Sequence, residues 1–423
     1  MIETAAPAER AFLIGLEVPG ARFDVDDSLD ELAALVTAAG GEVVGRTTQM
    51  RRAPDPNTWM GKGKVDEVTE EARRSRADLL VCDEELSPRQ QQNLEKICKV
   101  RVVDRSGVIL DIFAKHARTK EGRVQVELAQ MQYMLPRLRG LWQGLSRQGG
   151  GLGTRGPGES LLETDRRVIE RRLLDLKGRL AEVQKHRAAA RRSRERDGLF
   201  LAALVGYTNA GKSTLMNAMS GADVLVADQP FATLDPTTRR ASLPNGTVVL
   251  LSDTVGFVNK LPPTLVAAFR ATLEELEDAD LLVHVVDAAH PNLHERIAVV
   301  DETLASLGLS ARPKLLVLNQ ADRLRGPEGE ARREAVFAEF PQAVFTSATT
   351  GEGLPGLRSR IAEAAASGWK LVALTIPHTA GAYVQRIRER GSLRRADYRE
   401  AGIDIEAQVP SDLAAELHAR AVG

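Results

Sequence analysis

The feature that most limits what this 423-residue chain can fold into is the segment Gly206–Ser213, which reads GYTNAGKS. An apolar run, Leu199–Val205, predicts a buried strand before it, and Leu215–Met219 predicts a helix after it. Between a strand and a helix, the two glycines of this pattern let backbone N–H groups wrap around phosphate oxygens. The sequence therefore predicts a phosphate-binding loop, with Lys212 on the terminal phosphates and Ser213 on Mg²⁺.

Two further motifs complete the phosphate end of the predicted site. Asp253–Gly256 reads DTVG after a predicted strand, where an aspartate can hold Mg²⁺ through water and the Gly256 N–H can contact a γ-phosphate. Upstream, Phe231–Pro236 reads FATLDP, and Thr233 can close over Mg²⁺ when a γ-phosphate is present. We assign Mg²⁺ binding to Ser213 and Thr233. The residues assigned to catalysis are Lys212, Thr233, Asp253 and Gly256.

A base-recognition motif follows at Asn319–Asp322, which reads NQAD after an apolar strand. The Asp322 carboxylate can accept both N–H donors of a guanine edge, a pattern that adenine lacks, and Ser347 with Ala348 would complete the pocket. We therefore predict GTP and GDP with Mg²⁺ as cofactors. The predicted nucleotide contacts are Gly206, Tyr207, Thr208, Asn209, Ala210, Gly211, Lys212, Ser213, Phe231, Ala232, Thr233, Leu234, Asp235, Asp253, Thr254, Val255, Gly256, Asn319, Gln320, Ala321, Asp322, Ser347 and Ala348.

The rest of the chain predicts an α/β protein of four parts. Strand and helix patterns alternate up to about residue 117, which favours an α/β domain with a largely parallel sheet. Two helical patterns then flank a glycine-rich, basic loop at 144–158. The predicted parts are an N-terminal α/β domain (1–120), a basic helical hairpin with that loop at its tip (121–197), a P-loop GTPase domain (198–368) and a small C-terminal α/β domain (369–423).

The second helix of the hairpin is strongly basic. From Arg166 to Arg196 there are twelve Lys or Arg against four Asp or Glu. A solvated arm with internal ion pairs would need a closer balance of charge, so we favour contact with RNA phosphates. The candidate RNA contacts are Arg147, Arg155, Arg166, Arg167, Arg171 and Arg172.

Composition narrows the cellular setting. The net charge is −1, so a basic surface must be local, and the two cysteines, Cys82 and Cys98, lack metal-ligand spacing. We interpret them as buried thiols in a reducing compartment. The segment Met1–Arg10 does not resemble a signal peptide, and no apolar run reaches the ~20 residues that span a bilayer. We expect a cytoplasmic protein that is monomeric when free, with a fraction of the molecules associated with ribosomes or membranes.

Taken together, these motifs resemble the HflX family, ribosome-associated GTPases of the translation-factor class. The specific features are the nucleotide motifs above, FATLDPTTR at Phe231–Arg239, GGGLGTRGPGE in the tip loop, and ELAQMQYMLPRLRG at Glu127–Gly140. The resemblance covers nearly the whole chain. It implies the four-part architecture, GTP hydrolysis stimulated by the ribosome, binding to the large ribosomal subunit, and splitting of stalled ribosomes under stress.

Three positions set this chain apart or stay open. The family usually has Asn-Lys-x-Asp, but Gln320 replaces the lysine with a shorter, uncharged side chain, so we expect a cost in affinity more than in guanine selectivity. Phe257 stands where many GTPases have a glutamine that orients water, so intrinsic hydrolysis should be slow. Asn209 matches an asparagine of potassium-activated GTPases; it either helps bind K⁺ or only braces the loop.

A different function is also open at this stage. The chain would then be the GTPase module of an RNA-remodelling or RNA-modifying assembly, with weak ATP binding in the N-terminal domain. Only the glycines and lysines of Gly61–Lys64 support ATP binding, and that segment lacks phosphate-loop spacing. We favour an exposed basic turn there.

Overall fold

The computed structural model describes residues 8–146, 167–183, 199–221, 230–231, 237–262, 265 and 276–421, and it describes side chains in these ranges except at 139–146. The α/β fold class is confirmed. Several predicted residues lie outside the described ranges, so their roles stay predictions: Arg147, Arg155, Arg166, Ala232, Thr233, Leu234 and Asp235.

The chain divides into two compact units, and short segments interleave between them. The first unit comprises Met1–His186, Asp228–Asp235 and Val258–Thr272. The second comprises Arg187–Ala227, Pro236–Phe257 and Leu273–Gly423. The boundaries of the four domains predicted from the sequence stay a prediction.

A four-stranded parallel sheet, in the order β2-β1-β3-β4, forms the centre of the first unit. Its strands are β1 (Arg10–Glu17), β2 (Glu42–Met50), β3 (Leu79–Cys82) and β4 (Arg101–Asp104). Its helices are α1 (Val25–Ala38), α2 (Lys62–Arg74), α3 (Pro88–Cys98), α4 (Arg105–His116) and α5 (Lys120–Ser146), followed by a helix α6 over 167–183. Both cysteines are buried and free, as predicted.

Local sequence explains where the helices of this unit begin. The Ser87 hydroxyl accepts a hydrogen bond from the Gln90 N–H, and the Gln90 side-chain oxygen accepts one from the Ser87 N–H, a capping box that starts α3. Gly61 precedes α2, its N–H donates to the Gln49 side chain, and Lys64 pairs with Glu67 at 2.9 Å. The exposed basic turn expected at Gly61–Lys64 is therefore wrong in part, because Lys62, Gly63 and Lys64 form the first turn of α2 and Lys64 is ion-paired within that helix.

Two buried aspartates hold the first unit together at the carboxyl ends of its strands. Asp83, after β3, accepts hydrogen bonds from Ser28 Oγ at 2.7 Å, Arg105 Nη1 at 2.6 Å and Lys260 Nζ at 2.5 Å. Lys260 adopts a left-handed φ of 55° to do so. The segment that follows the DTVGF motif is therefore anchored inside the first unit.

The second buried carboxylate, Asp104 at the end of β4, fixes the long helix α5. It accepts from Tyr133 Oη at 2.8 Å and from Arg137 Nη2 at 2.6 Å. The Arg137 guanidinium also lies 3.5 Å from the centre of the Tyr133 ring. Burial beside Asp104 raises the pKa of Tyr133, so its hydroxyl stays a donor. Because Tyr133 and Arg137 both bond Asp104 and also contact each other, this part of α5 is held against the end of β4.

A six-stranded sheet, in the order β10-β9-β8-β5-β7-β6, organises the second unit, and only β6 is antiparallel to its neighbour. Its strands are β5 (Leu201–Val205), β6 (Thr237–Ser242), β7 (Val248–Asp253), β8 (Leu281–Asp287), β9 (Lys314–Asn319) and β10 (Val344–Phe345). The described helices are α7 (Lys212–Ser220), α8 (Leu293–Ser306), α9 (Gly326–Glu339) and α10 (Leu354–Ala365).

Apolar side chains cover both faces of this sheet. On one face Leu204 packs with Leu215 of α7 and Ile361 of α10. On the other, Leu318 packs with Leu293 of α8 and Val336 of α9. The near-continuous apolar runs of β5 and β8 follow from this, because a parallel strand covered on both faces has no polar side. The loops at the carboxyl ends of the strands are left to carry polar side chains.

The chain ends in an antiparallel sheet of order β11-β13-β12 with two helices on it. Its elements are β11 (Lys370–Ile376), α11 (Ala382–Arg390), β12 (Ser392–Arg399), β13 (Gly402–Val409) and α12 (Ser411–His418). Among the described residues, no helix has the length and apolar character needed to cross a bilayer.

His284 is a polar residue inside the apolar strand β8. Its side chain is fully buried, and neither ring nitrogen has a hydrogen-bond partner in the described part of the chain. Burial lowers the pKa of His284 to about 4, although Asp301, 3.7 Å from Nδ1, opposes the shift. The ring is therefore neutral in the folded protein at pH 7.

We predict that His284 makes the second unit sensitive to mild acid. The unfolded chain takes up a proton below the ordinary histidine pKa of about 6.5, whereas the folded chain does so only near pH 4. Stability should fall as the pH drops through this window, by about 2 kcal/mol between pH 7.5 and 5. Urea unfolding at both pH values should show a loss smaller by that amount in His284→Leu; equal losses would contradict the prediction.

Candidate nucleotide-binding site

The loop between β5 and α7 has the backbone geometry that its glycines predict. Gly206 has a φ of 153°, and a Cβ atom there would lie 2.1 Å from the carbonyl oxygen of Val285. Gly211, the residue before α7, has a φ of 85° and lies close to the Asn319 amide. Because no side chain fits at either place, the loop can curl tightly around the first turn of α7.

Lys212 is buried at the centre of this loop. Its Nζ donates to the carbonyl oxygens of Gly206 at 3.1 Å and Tyr207 at 2.9 Å. Burial lowers the pKa of Lys212 to about 8, and the Asp253 carboxylate opposes the shift. The amine is thus held under the loop with its charge incompletely solvated, which favours an anion above it.

Ser213, in the first turn of α7, meets Asp253 at the carboxyl end of β7. Ser213 Oγ donates to Asp253 Oδ2 at 2.6 Å. Next to the aspartate, Thr254 is fully buried and its hydroxyl donates to the carbonyl oxygen of Leu204 at 2.7 Å, which fixes the start of the DTVGF segment on β5. A hydroxyl beside a carboxylate is the donor set expected of a magnesium site that binds the metal partly through water.

The DTVGF segment is hydrogen-bonded along the phosphate loop. The Thr208 N–H donates to the Phe257 carbonyl at 2.8 Å, and the Phe257 N–H donates to the Gly206 carbonyl at 3.1 Å. Between them, a Cβ on Gly256 would lie 3.1 Å from Lys212 Nζ and 2.8 Å from Thr208 Cγ2. Gly256 is therefore placed beside the buried amine, where the sequence puts its contact with the γ-phosphate.

The base motif is joined to the same loop. Asn319 is buried at the end of β9, and its Nδ2 donates to the Ala210 carbonyl at 2.9 Å. Its Oδ1 accepts from the Ala348 N–H and the Thr346 hydroxyl, both at 3.2 Å. One amide thus connects the phosphate loop to the Ser347–Ala348 segment.

Asp322 and Ser347 frame the predicted guanine position. Asp322 lies in a short 3₁₀ helix, Ala321–Arg323, directly after β9, and its carboxylate has no hydrogen-bond partner among the described residues. Ser347 is fully buried and its hydroxyl accepts from the Thr350 N–H at 3.2 Å. The turn after β10 is thus held rigid while the Asp322 carboxylate can accept donors.

Sequence reasoning missed three side chains around this site, namely Arg296, Arg323 and Asp287. The Arg296 guanidinium lies 4.5 Å from the centre of the Tyr207 ring, and Arg323 joins Gln320 to Asp287. Arg323 directly follows the NQAD motif, so its position could have drawn notice. Arg296 carries no such signal, because it lies far from Tyr207 in the sequence and only the fold brings the two side chains together.

Phe231 is the one residue of the FATLD segment that the structure describes. It is buried, lies in the first unit and packs edge-on against Phe113 with ring centroids 4.6 Å apart. Its contact with nucleotide stays a prediction, as do those of Ala232 to Asp235.

The comparisons with known proteins agree with this architecture. Three family models match in order: the GTP-binding GTPase N-terminal region at residues 26–114, the GTP-binding GTPase middle region at 116–194, and the 50S ribosome-binding GTPase at 201–320. A protein of Caldanaerobacter subterraneus named GTPase HflX is 42% identical over 99% of this chain and 95% of its own length. The chain belongs to the HflX family of GTPases.

Another relative with the same name, from Escherichia coli K12, is 42% identical over 92% of this chain and 90% of its own length. Among solved structures, a GTP-binding protein from the archaeon Sulfolobus solfataricus in complex with GDP is 24% identical, with a TM-score of 0.43, over 84% of this chain and 98% of that one. The GTPase assignment rests on the family models and the close relatives.

A guanine nucleotide with Mg²⁺ fits the residues present. At Gly206, Gly211 and Gly256 a Cβ atom would overlap neighbouring protein atoms, so only glycine lets the loop and the DTVG segment pack this closely, and the buried Lys212 supplies positive charge. The Ser213 hydroxyl and the Asp253 carboxylate provide oxygen donors. Three of the predicted motifs, the phosphate loop, DTVG and NQAD, thus converge at one end of the sheet.

We predict that nucleotide affinity depends on the charge of Lys212. The pKa of Lys212 is about 8, so at higher pH the Lys212 amine of the free protein loses the proton that phosphate binding requires. The Kd for GDP should therefore rise roughly tenfold between pH 7 and 9. Isothermal titration at both pH values measures this. Lys212→Arg keeps its charge over the range and controls for ionisation of the nucleotide; the same pH dependence in both proteins would contradict the prediction.

Proposed function

We propose that this GTPase binds the large ribosomal subunit and splits stalled ribosomes under stress while GTP is bound. The observation that carries the nucleotide part is the convergence of Lys212, Asp253 and Asn319 on a single loop. Support for the ribosomal part comes from the match at residues 201–320 to a family described as a 50S ribosome-binding GTPase, and from the resemblance of the hairpin sequences.

The residues around the phosphate loop divide the work of binding and hydrolysis. Lys212 and the first N–H groups of α7 would hold the terminal phosphates, and Gly256 would contact the γ-phosphate. We assign Mg²⁺ to Ser213 and Thr233; when bound, it neutralises charge on the β- and γ-phosphates. Asn319 keeps the base pocket and the phosphate loop in a fixed relation, since its amide bonds both.

Orientation of the attacking water needs help from outside this set. Phe257 is buried, its N–H and carbonyl are both bonded to the phosphate loop, and its ring has no hydrogen-bonding group. Hydrolysis should therefore be slow until a partner supplies the missing group, which fits stimulation by the ribosome. A contribution of K⁺ at Asn209 stays a prediction.

The basic hairpin is the proposed RNA contact, and its arginines are not equivalent. Arg172 Nε and Nη2 both bond the Glu127 carboxylate on α5, at 2.7 and 2.9 Å, so this guanidinium joins α6 to α5. Arg171, its neighbour, is exposed on α6. We therefore expect Arg171 to contact RNA phosphates and Arg172 to act mainly by holding the hairpin together.

The two neighbouring arginines make a matched test. Arg171→Ala should weaken binding to large subunits, because one phosphate contact is lost. The slope of log Kd against log salt concentration should fall by about one. Arg172→Ala should instead lower thermal stability and leave the salt dependence of the remaining binding unchanged. Sedimentation with purified subunits at several salt concentrations, in the presence of a non-hydrolysable GTP analogue, measures the first effect. An unchanged salt dependence in Arg171→Ala would remove this residue from the interface.

The tip loop should carry the splitting activity. Ordering so many glycines costs roughly 1–2 kcal/mol of backbone entropy per residue, so the loop must gain contacts in a confined RNA cavity. Deleting Gly149–Gly153 should leave binding to the large subunit largely intact and abolish splitting of 70S ribosomes into subunits, measured by light scattering.

GTP hydrolysis without ribosomes is the control for that deletion and should not change, because the nucleotide site is untouched. Full splitting activity in the deletion variant would show that the tip is only a linker. Failure of the intact protein to sediment with ribosomal subunits in any nucleotide state would refute the ribosomal proposal, while leaving the GTPase assignment in place.

A further inference from the structure

Gln320 connects the base motif to the phosphate loop through its side chain. Its Nε2 donates to the main-chain carbonyl of Asn209 at 2.8 Å. Its Oε1 accepts from Arg323 Nη1, also at 2.8 Å. Both Gln320 and Asn209 have left-handed backbone conformations, with φ of 60° and 59°. The contact therefore joins two backbone turns that are costly for residues other than glycine.

Only one orientation of the Gln320 amide satisfies both neighbours. A carbonyl can only accept and a guanidinium can only donate, so the amide nitrogen must face Asn209 and the amide oxygen must face Arg323. The reverse orientation would bring oxygen against oxygen and nitrogen against nitrogen. Arg323 thus determines which end of the amide reaches the phosphate loop.

Arg323 is itself held by a fixed partner. Its Nη1 lies 2.8 Å from Asp287 Oδ2, and the Asp287 side chain is only 6% exposed at the end of β8. The other oxygen, Oδ1, accepts from the Ala289 N–H at 2.9 Å. The series Asp287, Arg323, Gln320 and Asn209 therefore runs from the carboxyl end of one strand to the phosphate loop.

We propose that Arg323 is a positioning residue for nucleotide binding that acts through Gln320, and that this pair replaces the lysine usual at position 320. A lysine can donate to the Asn209 carbonyl as the Gln320 amide does, but it offers no acceptor to Arg323. It would instead bring a second cation beside the guanidinium. In this chain Gln320 is matched to Arg323.

This inference changes what the sequence alone leads us to expect of Gln320. Considered by itself, Gln320 only shortens the side chain and should weaken binding, so that lysine should improve it. In the structure, the amide makes both the loop contact and a contact that lysine cannot make. The benefit of lysine should then appear only when Arg323 is absent.

A double-mutant cycle in the full-length protein tests the pairing. The variants are Gln320→Lys, Arg323→Met and both together, and the readouts are Kd and the dissociation rate of a fluorescent GDP. We expect Gln320→Lys alone to bind GDP no tighter than the wild type, and Arg323→Met to bind it three- to tenfold more weakly through faster dissociation. In the Arg323→Met background, Gln320→Lys should recover at least threefold of that loss.

Two further variants separate positioning from a general effect on stability. Arg323→Lys should recover part of the affinity, because one ammonium can still donate to the Gln320 oxygen. Arg360→Met is a matched control on α10, where Arg360 lies 3.7 Å from Glu363; it should leave GDP dissociation unchanged. Thermal melts without nucleotide should not follow the order of the GDP affinities.

Independent effects would overturn the proposal: if Gln320→Lys changes GDP affinity by the same factor with and without Arg323, the arginine does not act through Gln320. A fall in melting temperature that accounts for the weaker binding of Arg323→Met would overturn it as well. Because the inference rests on the nucleotide site described above, failure of the wild-type protein to bind GDP would refute that site instead, and the two failures are distinguishable.

Discussion

The nucleotide site depends on one close approach of backbone to backbone. Gly206 lies so near the carbonyl of Val285 that even a methyl group would overlap it. This approach sets the path of the loop, and the loop carbonyls then determine where Lys212 is held. The DTVGF and NQAD segments hydrogen-bond to that same loop. A substitution at Gly206 would therefore displace all three motifs together.

Electrostatics then suits the site to an anion. The Lys212 ammonium is removed from water, and carbonyl oxygens are its main hydrogen-bond partners. Burial therefore lowers the pKa of this amine toward neutral pH. An approaching phosphate restores the favourable surroundings that burial took away. Asp83 is the opposite case. Arg105 and Lys260 both bond this buried carboxylate, so protein side chains already compensate its charge and no ligand is needed to do so.

Sequence reasoning found the parts of the site that are continuous in the chain. The phosphate loop, DTVG and NQAD each follow an apolar strand, and parallel strands bring their carboxyl ends to one edge. It did not find the Asp287–Arg323–Gln320 series, because that series depends on which way three side chains point. The final helix α12 was also missed, although Leu413 and Leu417 have helical spacing. Residues 232–235 of the FATLD segment and residues 147–158 of the tip loop lie outside the described ranges.

The interleaving of the two units has a practical consequence for dissecting this protein. The segments Asp228–Asp235 and Val258–Thr272 belong to the first unit, although each is flanked by sequence of the second. A truncation that removes the N-terminal 186 residues would strip Phe231 of Phe113 and Lys260 of Asp83. Such a fragment would expose an aromatic ring and an uncompensated ammonium group, in segments that in the sequence flank the stretch 236–257 of the second unit. Its kinetic behaviour would then report the loss of these partners as much as the properties of an isolated GTPase domain.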